Sequence, residues 1–404
     1  MMHVFVINSG SSSIKYQLIS MPEEQVICSG IVDRIGQQGA RVDYQATLSG
    51  KEIKEYKIMP IPDHSVGLQA VATFLTDPQI GVIRNPDEVK IVGHRVVHGG
   101  EKFASTQWIT PEVKSKIKEL FPLAPLHNPA NFLGIEVAEQ IFSKAKQVAV
   151  FDTAFHQSQP EIAYRMAIPN EFYQKHGIRN YGFHGTSHKY VSERASEYLK
   201  QLPLKMITIH LGNGCSMAAI QHGKCVDTSM GLGPMNGLIM GTRAGDIDQS
   251  VIFHLVNQLG YSLDEVNTIL NKKSGMLGLT GFSDMRDIQA EIAKGNQEAS
   301  LAYQLYAYRV KKYIGAFAAV MNGLDAVIFT GGVGENDRMT RQLVCEQMDY
   351  LGIVLDPVKN EGSKQSVQEI QREDSRVKLL VIPTNEELEI AKQCFGLLEN
   401  RTVA

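Results

Sequence analysis

Cysteine is scarce in this sequence and badly spaced for a metal or a disulfide framework. The five thiols, Cys28, Cys215, Cys225, Cys345 and Cys394, are odd in number and scattered over 404 residues without CxxC spacing. That argues against a thiolate metal site and against a disulfide-stapled secreted fold; reduced, mostly buried thiols are expected. Long apolar runs are missing as well, so no segment has the length of a membrane span. The N-terminal Met1-Met2-His3-Val4-Phe5-Val6-Ile7 lacks the basic region and long apolar stretch of a signal peptide. It reads as a core strand, and the protein is expected in the cytoplasm. A net charge of -3 offers no general attraction to nucleic acid or to a membrane surface. Any positive charge that matters must be local.

The common nucleotide and zinc signatures are missing too. There is no GxxxxGKS/T and no pairing of GxGxxG with HRD and DFG, and His184 and His188 lack the glutamate of HExxH. P-loop enzymes, protein kinases and zincin-type sites are therefore set aside.

What remains is an ordinary globular composition, 43% hydrophobic and 21% charged, in a chain long enough for two domains. β-Branched runs at 4–7, 91–97, 148–151, 206–209, 326–330 and 379–382 alternate with segments of helical periodicity, for example about 128–144 and 301–322. The pattern predicts an α/β protein with a crossover near residue 150. Three Gly-rich turns follow strands, at 8–13, 212–216 and 330–336. The first two share one plan, an apolar strand, a turn of Gly, Ser and Asn, then a second strand, which points to a duplicated fold. Glycine lets a ligand approach the main chain and lets successive amides point at an anion, so polyphosphate suits such turns. A plain hairpin is the simpler account of any one of them.

Polar residues beside the apolar strands carry the remaining signal. Arg95 interrupts the strand at 91–97 and either ion-pairs structurally or meets an anionic ligand. Asp152 ends the strand at 148–151, where ligands of open α/β sheets collect, or it caps a turn. Thr186 or Ser187 fits a helix N-cap beside His184, and Arg243, between glycines and near Asp246 and Asp248, fits a loop salt bridge. Thr384 with Glu387 fits a capping box.

Ten ordered motifs then resemble the acetate kinase family of the actin, Hsp70 and sugar-kinase superfamily. They are NxGSSSxK at 8–15, GHRxVHGG at 93–100, PLAPLHNP at 122–129, FDTAFH at 151–156, YGFHGTSH at 181–188, HLGNG at 210–214, GTRxGDxD at 241–248, SGxLGxxG at 274–281, FTGGxGEN at 329–336 and TxEE at 384–387. The resemblance implies two duplicated ribonuclease-H-like domains, one over 1–151 plus 388–404 and a nucleotide-binding one over 152–387, with an interdomain active-site cleft. It implies a homodimer with no nucleic-acid or membrane partner.

It also implies direct in-line phosphoryl transfer between ATP and acetate, giving ADP and acetyl phosphate. Asn8 and Glu386 would hold Mg²⁺, with Mn²⁺ as a substitute. Lys15, His210, Leu211, Gly212, Asn213, Gly214, Asp284, Met285, Arg286, Gly332, Val333, Gly334, Glu335 and Asn336 would bind ATP. Arg95 would take the substrate carboxylate, its methyl group lying among Val97, Leu126, Phe183 and Pro234. Asp152, His184 and Arg243 would be catalytic. Cys215 stands where the family leads one to expect serine, which opens thiol oxidation near the nucleotide. Propionate or butyrate as acceptor is the alternative within the family. An actin- or Hsp70-like ATPase is the alternative outside the reaction class, and it would not need Arg95 and Arg243 together.

Overall fold

The computed structural model describes residues 2–48, 50–200, 204–362 and 366–402. The chain forms two compact units, Met1–Ala154 with Asn385–Ala404, and Phe155–Thr384. The division expected at 151/152 and 387/388 thus moves, and Asp152, Glu386 and Glu387 group with the first unit. Local packing explains the shift. The Asp152 amide donates to the Val96 carbonyl at 3.0 Å. The helix Glu386–Thr402 lies on the first unit's sheet at Gly93, where a Cβ would meet Cys394 Sγ at 2.7 Å and Ile390 Cγ2 at 2.9 Å.

The first unit is built on β1 (Met2–Ser9), β2 (Ser13–Met21), β3 (Gln25–Asp33), β4 (Arg41–Leu48), β5 (Lys51–Ile58), β6 (Val89–Val96), β7 (Gln107–Trp108) and β8 (Lys146–Phe151), in the order β5-β4-β3-β2-β1-β6-β8-β7. Strand β1 pairs antiparallel with β2 and parallel with β6, so it sits centrally, and Val4, Phe5 and Val6 are fully buried. A continuous apolar run is what a strand covered on both faces requires. The helix Asn128–Ile141 covers this sheet, and its Asn131 joins two strand ends, donating to Ser9 O at 2.6 Å and accepting from the Val97 amide at 3.0 Å.

The second unit contains β9 (Lys205–Leu211), β10 (Cys215–Gln221), β11 (Lys224–Thr228), β12 (Ala326–Thr330), β13 (Gln368–Glu369) and β14 (Lys378–Val381), ordered β11-β10-β9-β12-β14-β13. Strands β11-β10-β9 are antiparallel and β9-β12-β14 parallel, which repeats the pattern of β3-β2-β1 and β1-β6-β8 in the first unit. The two Gly-rich hairpins are the equivalent turns of this repeat.

Several local expectations change. The third Gly-rich segment folds as a short helix, Gly331–Asn336, entered through Gly331 at φ +76°, where a Cβ would lie 2.7 Å from Leu211 O. The helix expected over 301–322 runs Gln297–Val320. It starts early because the Asn296 side chain accepts from the Ala299 amide and so caps it. The Thr384–Glu387 capping box is not formed; Asn385 Oδ1 accepts from the Leu388 amide at 3.0 Å instead. All five cysteines are buried and unpaired. No helix among the described residues is long and apolar enough to cross a membrane.

Candidate active site

Each unit gathers its own set of the expected residues. In the first, Arg95 near the end of β6 and Asp152 just beyond β8 are brought together by the parallel pairing of those strands. Arg95 Nε lies 3.0 and 2.9 Å from the two Asp152 carboxylate oxygens, and Nη2 donates to Oδ2 at 2.5 Å. Nη1 donates to Asn8 Oδ1 at 3.3 Å, and Glu386 Oε2 stands 4.0 Å from Nε. Burial opposes the guanidinium charge, but Asp152, Glu386 and Glu387 outweigh it and raise the Arg95 pKa above its ordinary value. Val97 is buried behind this cluster, held by Asn131, while Leu126 is exposed. Lys15 is an exposed residue of β2 whose charge is felt at Glu387.

Hard oxygen donors dominate here. Burial, then the neighbouring Glu386 charge, raises the Glu387 carboxyl above its usual range, with Lys15 and Arg95 acting against it. An acidic pair in that condition, beside an asparagine, suits a hard divalent ion that keeps water and substrate phosphate as its other ligands. It does not make an all-protein cage, and among the described residues no group of three or more His, Cys, Asp and Glu could hold a metal.

In the second unit, Gly212, Asn213, Asp284, Met285, Arg286, Gly332, Val333 and Asn336 line one cavity of about 680 Å³. Three segments far apart in sequence thus converge on one cavity. Of the other expected contacts, Lys15, His210, Leu211, Gly214, Gly334 and Glu335 do not line it, though Gly214 O accepts from the Gly212 amide at 3.1 Å. Glu335 Oε1 accepts from the amides of Gly331 at 2.9 Å and Thr384 at 3.1 Å. Sequence reading missed Gly241, Met276, Ser283, Gln289, Tyr306 and Asp337, which also line the cavity. Gly241 and Met276 lay inside noted motifs and could have been found; Gln289, Tyr306 and Asp337 come from helix faces or a helix cap whose neighbours only the fold reveals. Asp284 and Arg286 pair with each other at the exposed rim, and the Arg286 hydrogen bonds hold the Asp284 carboxyl down at about 2.

Arg243 does not form the loop salt bridge its neighbours suggested. Asp246 instead accepts from Tyr313 at 2.7 Å and from the Gly237 amide at 2.7 Å. Arg243 Nη1 donates to Pro234 O at 2.8 Å and has no carboxylate partner among the described residues. Burial lowers its pKa, which the nearby Cys215 partly offsets. His184 sits at φ +56° before the helix Gly185–Leu199, a left-handed conformation that costs a non-glycine residue on the order of 1 kcal/mol and tends to persist where function needs it. Neither Thr186 nor Ser187 caps that helix; the Ser187 hydroxyl meets His210 Nδ1 and Thr384 Oγ1, both at 2.8 Å. The rings of His184 and His210 stack with centroids 4.5 Å apart.

A methyl group on Gly214 would lie 3.4 Å from His184 Nε2 and 3.9 Å from Arg243 Nη1, so a histidine edge and the guanidinium converge at a bare glycine. Phe183 is buried, its carbonyl bonded to His156 Nε2 at 2.9 Å. Cys215 is less available to oxidation than its position suggested. Its thiol donates to Gly212 O at 3.3 Å, the Tyr306 hydroxyl lies 3.2 Å from the sulfur, and burial pushes its pKa to about 11.

Comparison with known proteins finds relatives over almost the whole chain. The profile of the acetokinase family matches residues 3–392. An acetate kinase of Flavobacterium johnsoniae is 57% identical over 99% of this chain and 100% of its own. The crystal structure of Porphyromonas gingivalis acetate kinase superposes with a TM-score of 0.91 at 45% identity, covering 98% of this chain and 100% of that one. That of a propionate kinase from Francisella tularensis also reaches 0.91, at 41% identity with the same coverage.

The cavity wall yields a direct test. A Cβ at Gly241 would lie 2.0 Å from Asn213 Oδ1, although the Gly241 amide bonds to Asn213 O at 3.0 Å. Gly241→Ala must turn the Asn213 side chain out of its place in the cavity wall, and titration calorimetry is expected to show ATP binding weakened by about tenfold. An unchanged Kd in a folded variant would contradict this placement.

Proposed function

Because the chain belongs to the acetokinase family, we propose that it catalyses reversible phosphoryl transfer between ATP and acetate, producing acetyl phosphate and ADP in the cytoplasm. The observation that carries this reading is Arg243: a half-buried guanidinium without a carboxylate partner among the described residues, beside His184 and two residues from Gly241 in the wall of the 680 Å³ cavity. Phosphoryl transfer asks a protein for positioning and for positive charge around a loose, metaphosphate-like group. Arg243 and His184 supply that charge and a donor.

The acceptor is already a nucleophile at neutral pH, so no strong base is required. Arg95 binds the carboxylate, and Asp152, with both oxygens on Arg95, fixes the plane of the guanidinium rather than taking a proton. Asn8 and Glu386 would hold Mg²⁺, or Mn²⁺ in its place. When bound, the ion neutralises the phosphate charge. Transfer is direct and in line. The family resemblance assigns the methyl group to Val97, Leu126, Phe183 and Pro234, and a residue as bulky as valine at position 97 favours acetate over a longer chain.

Each methylene in such a pocket changes binding by about 1–3 kcal/mol. Hydroxamate formation with ATP is therefore expected to give kcat/KM falling from acetate through propionate to butyrate. Comparable efficiency with butyrate would overturn the acetate assignment, and ATP hydrolysis without hydroxamate would favour an ATPase. The chain also forms a homodimer in this reading. The helices Ser250–Asn257, Leu263–Lys272 and Gln297–Val320 expose Phe253, Leu263, Leu301 and Tyr308, each at 60% or more, large apolar side chains that a partner subunit could cover. Sedimentation equilibrium is expected to give twice the chain mass of 44.7 kDa; a monomer across the micromolar range would contradict it.

A further inference from the structure

Behind His184 runs a line of hydrogen bonds that the proposed mechanism does not use. His184 Nδ1 lies 2.8 Å from Ser216 Oγ, Ser216 Oγ lies 2.7 Å from His188 Nε2, and His188 Nδ1 lies 2.7 Å from Thr208 Oγ1. Ser216, His188 and Thr208 are completely buried, so every proton in the line must find its acceptor within the protein. We propose that Thr208, His188 and Ser216 form a one-way relay that holds His184 as the tautomer protonated on Nε2, and are therefore positioning residues for phosphoryl transfer. The inference rests on the role given to His184 above.

The direction follows from counting protons. A hydroxyl carries one hydrogen, and a neutral imidazole carries one across its two nitrogens. Burial keeps His188 neutral, and the adjoining His156 and His210 add to that effect. The only acceptor among the described residues for the Thr208 hydroxyl proton is His188 Nδ1. Thr208 therefore donates to Nδ1, which leaves the His188 proton on Nε2. That proton goes to Ser216 Oγ, and the Ser216 hydroxyl proton is left for His184 Nδ1.

With Nδ1 accepting, the His184 proton is carried on Nε2, the nitrogen that lies 3.4 Å from the position of a Gly214 Cβ and on the same side as Arg243 Nη1. Running the line the other way would protonate His184 at Nδ1 and present a lone pair at Nε2. It would also strand the Thr208 proton in the core. A lone pair repels a phosphoryl oxygen, whereas an N–H stabilises it, so the relay decides whether His184 helps or hinders. The second histidine of the YGFHGTSH segment thereby acquires a purpose distinct from zinc binding or simple packing.

The test is ¹⁵N NMR of the histidine-labelled full chain, combined with kinetics of Thr208→Val and Thr208→Ser. In the wild type, His184 Nδ1 should resonate as an unprotonated, hydrogen-bonded nitrogen and Nε2 as a protonated one. Thr208→Val keeps the shape but removes the first donor. It should mix the two tautomers and lower kcat about tenfold, leaving KM for ATP and acetate within about twofold. Thr208→Ser restores the donor and should restore both the spectrum and kcat, an outcome that lost packing would not produce. A wild-type His184 protonated on Nδ1, or a Thr208→Val enzyme with unchanged shifts and kcat, overturns the relay. His184→Ala separates the two claims: undiminished acetyl phosphate formation would remove His184 from the reaction and the positioning role with it, whereas the tautomer readings judge the relay alone.

Discussion

A guanidinium near the end of a buried strand survives only if something compensates its charge, and Asp152 does so for Arg95. Leaving one member of such a pair without the other costs about 3–5 kcal/mol. The pairing depends on β6 and β8 lying side by side and parallel, which depends in turn on the central position of β1. Asn8, at the end of β1, is drawn into the same group through Arg95 Nη1. Glu386 and Glu387 join because the last helix packs onto Gly93, a residue of β6 two places before Arg95. One ion pair thus explains why residues from four separate motifs share a small region, and why the first unit ends after Asp152 rather than before it.

The second unit meets a different constraint. Its Gly-rich segments bring the backbone so close to neighbouring atoms that a Cβ would collide. Gly331 adopts a left-handed φ against Leu211 O, and Gly241 abuts Asn213. Around these glycines the histidines are ordered by hydroxyls: Ser187 serves His210, and Ser216 serves both His184 and His188. The unit combines an arginine that has no carboxylate partner among the described residues with rings of defined orientation. That combination suits charge which develops during a reaction better than charge that is permanently present.

Much of this was legible in the sequence, for identifiable reasons. The runs at 4–7 in β1 and 326–329 in β12 are apolar on both faces and announce themselves by composition. The duplicated hairpin showed because glycine and serine cluster wherever a turn must stay tight. What local pattern could not supply was any contact that depends on tertiary partners. Thr384 and Glu387 have the spacing of a capping box, but Thr384 is occupied by Ser187 and Glu335, and Asn385 takes the cap. Gln289 and Tyr306 look like ordinary helix residues until the fold brings them to the cavity wall. Arg243 looked paired because Asp246 is near in sequence; Tyr313, from a distant helix, claims that carboxylate.

The central claim is that Asp152 acts through Arg95, holding the guanidinium for the acceptor carboxylate. Steady-state kinetics of Asp152→Asn test it most directly, because the amide keeps the size and removes the charge. The account predicts a fall of roughly tenfold or more in kcat/KM for acetate, while ATP affinity stays near that of the unaltered enzyme. Near-normal turnover of acetate by Asp152→Asn would contradict it.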